Sequence, residues 1–313
     1  MKQKIFISTT TFAEFDDAPL SRLKRAGFQV ELNPYGRKLN AKECLLHYKD
    51  ITAVIAGTER ITRNLLEYAS GLKVISRCGT GIDNVDLEAA SELGIRVFNT
   101  PDGPTLAVAE LTVGLILGLL RRISEMDRNL REGLWEKKMG HLLSEKAVGI
   151  IGYGKIGRKV AELLRRLDCE VSFNDINVNG APDGCRFLPL EDILRQSDVV
   201  CLHVSGNFDG NPLIGENEIG IMKKGSWIVN CSRGGVIDEA ALYNALSSKY
   251  LSGAALDVFE EEPYRGRLKD LPNVILTPHI GSYAQEARIR MEEMAVANLL
   301  QGLQGLNVEG NKG

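Results

Sequence analysis

Late in the chain stand side chains whose types could polarise and protonate a small acid: Arg233, the acidic run Glu260-Glu261-Glu262, and His279. Each follows an apolar stretch that reads as a strand, at 226–230, 252–256 and 273–276. In an open α/β sheet, ligands gather outside the carboxyl ends of the strands. Arg233 is thus placed where its planar guanidinium could clamp a carboxylate through two parallel hydrogen bonds, and Gly234 and Gly235 leave room for one. Three consecutive acids are ordinarily a solvated loop; the sharper reading has one of them facing a cleft. His279 lies in a turn set by Pro278 and Gly281. The four histidines (47, 141, 203 and 279) show no metal-ligand spacing, so no metal is expected.

Something must position these groups, and the middle of the chain says what. Ala147-Val148-Gly149-Ile150-Ile151 reads as a buried strand. Gly152-x-Gly154-x-x-Gly157 follows, with Lys155 and Ile156 opening an amphipathic helix. A second strand, Cys169–Phe173, leads to Asp175. Strand, glycine turn, helix, strand and acid in this order form a dinucleotide-binding fingerprint. The glycines admit a tight turn and close backbone approach, and the helix N-terminus offers unpaired N–H groups to a pyrophosphate. Asp175 can accept hydrogen bonds from ribose hydroxyls and would repel a 2′-phosphate. No Lys or Arg intervenes before Arg186. The expected cofactor is NAD.

The 313 residues, 44% hydrophobic and 25% charged with a net charge of −3, describe an ordinary globular protein of one or two domains. No basic stripe suggests nucleic acid. The longest apolar stretch, 106–120, falls short of the roughly 20 residues that a membrane span needs, and reads as a buried helix. Six cysteines without a CxxC pair, and an N-terminus lacking a signal-peptide pattern, predict a reducing, cytoplasmic setting. Strands at 4–8, 28–32, 53–56, 73–77 and 95–99 alternate with helices ahead of the fingerprint, which opens a second series of six strands. The expected fold class is α/β, with two doubly wound parallel-sheet domains: a Rossmann cofactor domain and a flavodoxin-like substrate domain, with a cleft between them. The expected boundaries are 1–100 plus 284–313 for the substrate domain and 101–283 for the NAD-binding domain.

The chain resembles the D-isomer-specific 2-hydroxyacid dehydrogenases, and among them the D-3-phosphoglycerate dehydrogenase group. The resemblance covers about residues 70–285. It rests on Arg77-Cys78-Gly79-Thr80-Gly81-Ile82-Asp83-Asn84-Val85-Asp86-Leu87, Asn99-Thr100-Pro101, Ala109-Glu110-Leu111-Thr112, the fingerprint, Cys231-Ser232-Arg233-Gly234-Gly235, Asp257–Pro263 and Pro278-His279-Ile280-Gly281. It implies hydride transfer between NAD(H) and a small 2-hydroxy or 2-keto acid. Arg233 would bind the substrate carboxylate and carbonyl oxygen, His279 would be the acid–base group, and Glu262 would pair with it. The segment Arg77–Gly81 would form the substrate site, with the N–H groups of Cys78, Gly79, Thr80 and Gly81 holding the carboxylate. Asp257 would contact the nicotinamide side, Thr112 the cofactor phosphates, and Cys231 would border the cofactor. A homodimer built around helix 105–121 is implied.

Two departures from the family pattern bear on the substrate. The family's His-x-Pro-Leu-Thr is replaced by His203-Val204-Ser205-Gly206-Asn207, and the Arg-Ser that helps bind a substrate phosphate is replaced by Ala56-Gly57. Arg60 and Arg77 are the candidates to stand in. A phosphoglycerate-like substrate is expected, with glyoxylate or hydroxypyruvate reduction as the alternative; an NAD-sensing, corepressor-like binding protein is the alternative of another class. A serine-responsive C-terminal domain, as in longer phosphoglycerate dehydrogenases, is not expected.

Overall fold

The computed structural model describes residues 3–177, 184–206 and 211–309, and side chains as far as residue 304. The chain divides into two compact units, Met1–Pro104 with Ser282–Gly313, and Thr105–Gly281.

The first unit carries a parallel sheet of five strands: β1 (Lys4–Ile7), β2 (Gln29–Leu32), β3 (Ala53–Ala56), β4 (Val74–Arg77) and β5 (Arg96–Phe98), in the order β2-β1-β3-β4-β5. That is the flavodoxin-like order. Parallel strands are covered on both faces, so they read as continuous apolar runs, and β3 (Ala-Val-Ile-Ala) is buried throughout. Alternate residues serve opposite cores. Phe6, Val54 and Ala56 join one cluster, and Ile5, Ile7, Ala53 and Ile55 join the other. Four short helices connect the strands: α1 (Ala18–Arg25), α2 (Ala41–Tyr48), α3 (Arg63–Tyr68) and α4 (Leu87–Glu92). The start of α2 is fixed by a capping box in which Asn40 and Glu43 satisfy each other's backbone N–H. A long C-terminal helix (Gln285–Glu309, α11 below) buries Met291, Ala295, Val296 and Leu299 against β1, β3 and β4.

The second unit begins with α5 (Thr105–Leu120) and α6 (Ile123–Arg131) and then winds a seven-stranded parallel sheet. Its strands are β6 (Ala147–Ile151), β7 (Glu170–Asn174), β8 (Arg186–Phe187), β9 (Val199–Leu202), β10 (Trp227–Asn230), β11 (Gly253–Leu256) and β12 (Val274–Leu276), in the order β12-β11-β10-β9-β6-β7-β8. From the β8 edge this is the dinucleotide-binding order with one strand added. The connecting helices are α7 (Lys155–Arg165), α8 (Leu190–Gln196), α9 (Glu216–Ile221) and α10 (Glu239–Ser247). Val199 and Cys201 face one core while Val200 and Leu202 face the other, the period-two signature of a strand buried on both sides. Gly157, Val160, Ala161 and Leu164 form the buried stripe of α7, and α5 packs beside it in the same core.

Three elements differ from expectation. The second sheet has seven strands, not six, because β8 is a two-residue edge strand too short to show a period. The polar stretch after residue 121 contains α6, an amphipathic helix with no buried residue. Helix α4, capped by Asp86, is too short to stand out in the sequence. The apolar stretch 106–120 is helical, and among the described residues no helix is long and apolar enough to cross a membrane.

Candidate active site

In the second unit the glycine turn has the geometry of a pyrophosphate cradle. Gly152 adopts φ +93°, and a side chain there would strike the carbonyl of His203. A Cβ at Gly157 would lie 2.1 Å from the Gly152 oxygen, so the first turn of α7 packs directly on the loop. Nothing lies within 4 Å of a Cβ at Gly154, which caps the helix. An α-helix leaves its first N–H groups without intrahelical acceptors, so the N-terminus of α7 suits an anion. Lys155 is exposed and Ile156 half-buried at that end. Asp175 follows β7 and accepts hydrogen bonds from the Tyr153 N–H at 2.6 Å and the Asn177 N–H at 2.8 Å, tying the strand end to the glycine loop. This backbone and carboxylate set fits the diphosphate and ribose of a dinucleotide. Part of the stretch between Asp175 and Arg186, residues 178–183, lies outside the described residues.

Beyond β10, Asn230 organises the turn that carries Arg233. The Asn230 Oδ1 accepts from the Ser232 N–H (3.0 Å) and Ser232 Oγ (2.6 Å), and Asn230 Nδ2 donates to the Arg233 carbonyl at 3.0 Å. Arg233 Nη1 donates to the Ser232 carbonyl at 2.8 Å. A Cβ at Gly234 would lie 1.8 Å from the Phe259 carbonyl, so this turn abuts the segment leading to Glu262. Only glycine permits that approach. The role of Asn230 was not anticipated. The signal was present, since an Asn at a strand end two residues before a Ser is a common turn-forming pattern.

Glu262 and His279 meet. His279 Nδ1 lies 3.1 Å and 3.0 Å from the two carboxylate oxygens of Glu262. The Phe259 N–H also donates to Glu262 Oε1 at 3.3 Å. His279 itself has φ +55°, a left-handed conformation uncommon for a non-glycine residue. Asp257 holds it there. Its Oδ1 accepts from Thr277 Oγ1 (2.6 Å) and the Ile280 N–H (2.8 Å), and its Oδ2 accepts from the Gly281 N–H (2.8 Å). Burial raises the Asp257 pKa, and those hydrogen bonds pull against it.

Asp257 is 1% exposed, and its carboxylate is hydrogen-bonded into the turn around His279. Two more residues expected near the cofactor are also buried. Thr112 is fully buried in α5, and its hydroxyl donates to the Val108 carbonyl at 2.8 Å. Cys231 lies in the core, its thiol pushed up to about 12 by burial. Both face inward because α5 and the end of β10 share one apolar core.

In the first unit, the loop after β4 is held by its own side chains. Arg77 Nη1 donates to the Cys78 carbonyl at 2.5 Å and Nε to Asn84 Oδ1 at 3.3 Å. Asn84 Nδ2 reaches the Glu59 carbonyl at 2.7 Å, and Asn99 Nδ2 reaches the Thr80 carbonyl at 2.7 Å. Arg77 is thereby turned onto the loop backbone. The Cys78 N–H donates to the Ala56 carbonyl and the Gly79 N–H to the Arg77 carbonyl, both at 3.0 Å. The expected carboxylate grip of Cys78, Gly79, Thr80 and Gly81 therefore narrows to the N–H groups of Thr80 and Gly81.

His203, after β9, has both ring nitrogens buried without a hydrogen-bond partner among the described residues. Asn207 of this loop lies outside them. Burial pushes the His203 pKa from 6.5 down to about 4. The folded ring stays neutral while the unfolded chain takes up a proton below pH 6.5. Its contribution is therefore intact above pH 6.5 and falls as the pH drops toward 4, by up to ~3 kcal/mol. Thermal unfolding should show a steeper loss between pH 6.5 and 4 in the native chain than in His203→Phe. Parallel curves would exclude His203 as the source.

Two doubly wound units, one opening on a glycine cradle and carrying an Arg, a Glu and a His at strand ends, define a dinucleotide-binding oxidoreductase fold. Residues 113–281 match the model of the D-isomer specific 2-hydroxyacid dehydrogenase NAD binding domain. The chain belongs to the D-isomer specific 2-hydroxyacid dehydrogenase family, and this segment is its NAD-binding domain. The D-3-phosphoglycerate dehydrogenase of Pongo abelii is 39% identical over 281 residues, 88% of this chain and 53% of that protein. The chain thus spans about half the length of the first curated relatives it matches. The glyoxylate reductase of Thermofilum pendens is 39% identical over 84% of this chain and 82% of its own. The crystal structure of the TT0316 protein from Thermus thermophilus aligns over 97% of both chains with a TM-score of 0.89 and 36% identity.

Proposed function

We propose that this chain is an NAD-dependent dehydrogenase that interconverts small D-2-hydroxy acids and 2-keto acids, with a D-3-phosphoglycerate-like substrate. The observation that carries the reading is the Glu262–His279 pair at 3.0 Å, set at the strand ends of an NAD-binding sheet. NAD(H), when bound, supplies the hydride donor or acceptor. His279 Nδ1 is oriented by Glu262, which leaves Nε2 to carry the moving proton. In reduction Nε2 gives its proton to the oxygen at C2; in oxidation the neutral ring takes it back. Arg233 grips the substrate carboxylate and places positive charge beside the C2 oxygen, where negative charge develops. The first unit supplies the substrate domain, with Thr80 and Gly81 N–H groups for the carboxylate. NADH oxidation with 3-phosphohydroxypyruvate, hydroxypyruvate, glyoxylate and pyruvate tests this; activity with none of them refutes it.

The Asp175 carboxylate sets the preference for NAD over NADP. Asp175→Ala should narrow the NADH-to-NADPH ratio of kcat/KM by about ten-fold, the scale of one charge-assisted hydrogen bond or more. An unchanged ratio removes Asp175 from cofactor choice. The glyoxylate reductase match, which spans most of both chains, supports glyoxylate or hydroxypyruvate as the second substrate reading.

A homodimer built around α5 is supported by apolar side chains exposed on α5, on α6 and in the stretch that follows. Leu106 and Leu117 of α5, Ile123 and Leu130 of α6, and Trp135, Met139 and Leu142 beyond it are exposed, Trp135 to 81% and Met139 to 90%. Exposed apolar surface of this kind favours an interface. Sedimentation at micromolar concentration should give a dimer; a monomer refutes it. Six unpaired, buried cysteines support a cytoplasmic, reducing setting.

A further inference from the structure

Resting on the dehydrogenase reading, we infer that Arg288 is the residue of the first unit that selects a substrate with a second acidic group, held by its guanidinium fork. Arg288 lies in the first turn of α11, where its N–H donates to the Ala284 carbonyl at 2.9 Å. It is 6% exposed. Its Nε is buried and has no hydrogen-bond acceptor among the described residues. The facing carboxylate, Glu292, stands 3.7 Å from Nη2, beyond hydrogen-bond reach. Glu292 Oε2 accepts from the Ala13 N–H at 2.9 Å, while Oε1 forms a long ion pair with Arg288 and has no hydrogen-bond donor among the described residues. A guanidinium carries five donors in a fixed fork, and burying one of them, Nε, without an acceptor is costly. An anion brought to the fork supplies it.

The surroundings agree. Side chains in a helix lean toward its N-terminus, and the guanidinium carbon lies 5.5 Å from the ring of Tyr283, which precedes α11. Burial raises the Cys78 thiol; Arg288 and Arg77 pull it down and Glu292 pushes it up, so Arg288 and its carboxylate neighbour both lie within electrostatic reach of the loop that offers the Thr80 and Gly81 N–H groups. The hydroxyls of Thr9, Thr11 and Thr100, on loops after β1 and β5, are also buried without partners. The other two candidates for this task are ill placed. Arg77 is turned onto its own loop, and Arg60 is exposed. Phosphate and carboxylate tails share the chemistry that the fork recognises.

The test compares kcat/KM for 2-keto acids with an anionic tail and a neutral one. 3-Phosphohydroxypyruvate and oxaloacetate form the anionic arms, the first for phosphate and the second for carboxylate; hydroxypyruvate is the neutral arm. The native protein should favour one anionic arm over hydroxypyruvate by at least about ten-fold, the size of one charge-assisted hydrogen bond. In Arg288→Gln that ratio should collapse by at least about ten-fold, mainly through KM. Arg288→Lys, which keeps the charge but loses the fork, should fall between. A native protein that favours hydroxypyruvate overturns the inference without any variant, and so does Arg288→Gln lowering both arms equally. No turnover with any of these three acids overturns the inference, and no turnover with glyoxylate or pyruvate as well removes the dehydrogenase reading itself.

Discussion

Replacing His279 by alanine is expected to lower turnover by about 10²–10⁴-fold, the span that a positioned acid–base group contributes, while leaving NADH binding in place. The separation follows from the structure. His279 lies beyond β12, whereas the cofactor cradle is built from the β6–α7 turn and Asp175. The imidazole is also held without its own side chain's help. Asp257 fixes the turn through Thr277 Oγ1 and the N–H groups of Ile280 and Gly281. Alanine at 279 therefore keeps those three hydrogen bonds and removes the proton carrier alone. Stopped-flow titration of NADH fluorescence reports binding, and steady-state rates report turnover. Near-normal turnover in the variant would take His279 out of the mechanism.

The second large effect is expected at Arg233. Arg233→Gln should cost about 10²–10³-fold in kcat/KM, comparable to removing a preorganised donor aimed at developing charge. Both KM and kcat should suffer, because the guanidinium is assigned to the carboxylate in the ground state and to the C2 oxygen in the transition state. The turn is expected to survive. Asn230 holds it through the Ser232 N–H, Ser232 Oγ and the Arg233 carbonyl, none of which needs the guanidinium. A rise in KM alone would confine Arg233 to carboxylate binding; no change in either constant would remove it from the site.

The fold was largely legible because parallel strands buried on both faces write continuous apolar runs, and β3 and β9 are fully buried examples. The glycine turn was legible for a stricter reason. Gly157 and Gly234 sit where a Cβ would collide with backbone, so the sequence has little freedom there. Side-chain direction was not legible. Asp257 and Thr112 occupy positions that the family resemblance places near the cofactor, and the side chains of both form hydrogen bonds with nearby loop or helix groups. Arg77, a candidate for the missing phosphate-binding arginine, is bent back onto the Cys78 carbonyl. Arg288 is not marked in the sequence because one arginine in a charged helix carries no signal; its burial, with Nε lacking an acceptor, sets it apart. Short elements such as β8 and α4 escaped because neither is long enough to show a period.

In the proposed reaction a hydride passes between C4 of the nicotinamide and C2 of a 2-keto acid while His279 handles the proton. Incubating the protein with NADH carrying deuterium at both C4 positions and hydroxypyruvate or 3-phosphohydroxypyruvate, and locating the label by NMR, tests it directly. The account predicts one deuterium at C2 of a D-configured 2-hydroxy acid, in amount equal to the NADH consumed. NADH consumed without label at C2, or a product of the L configuration, would contradict it.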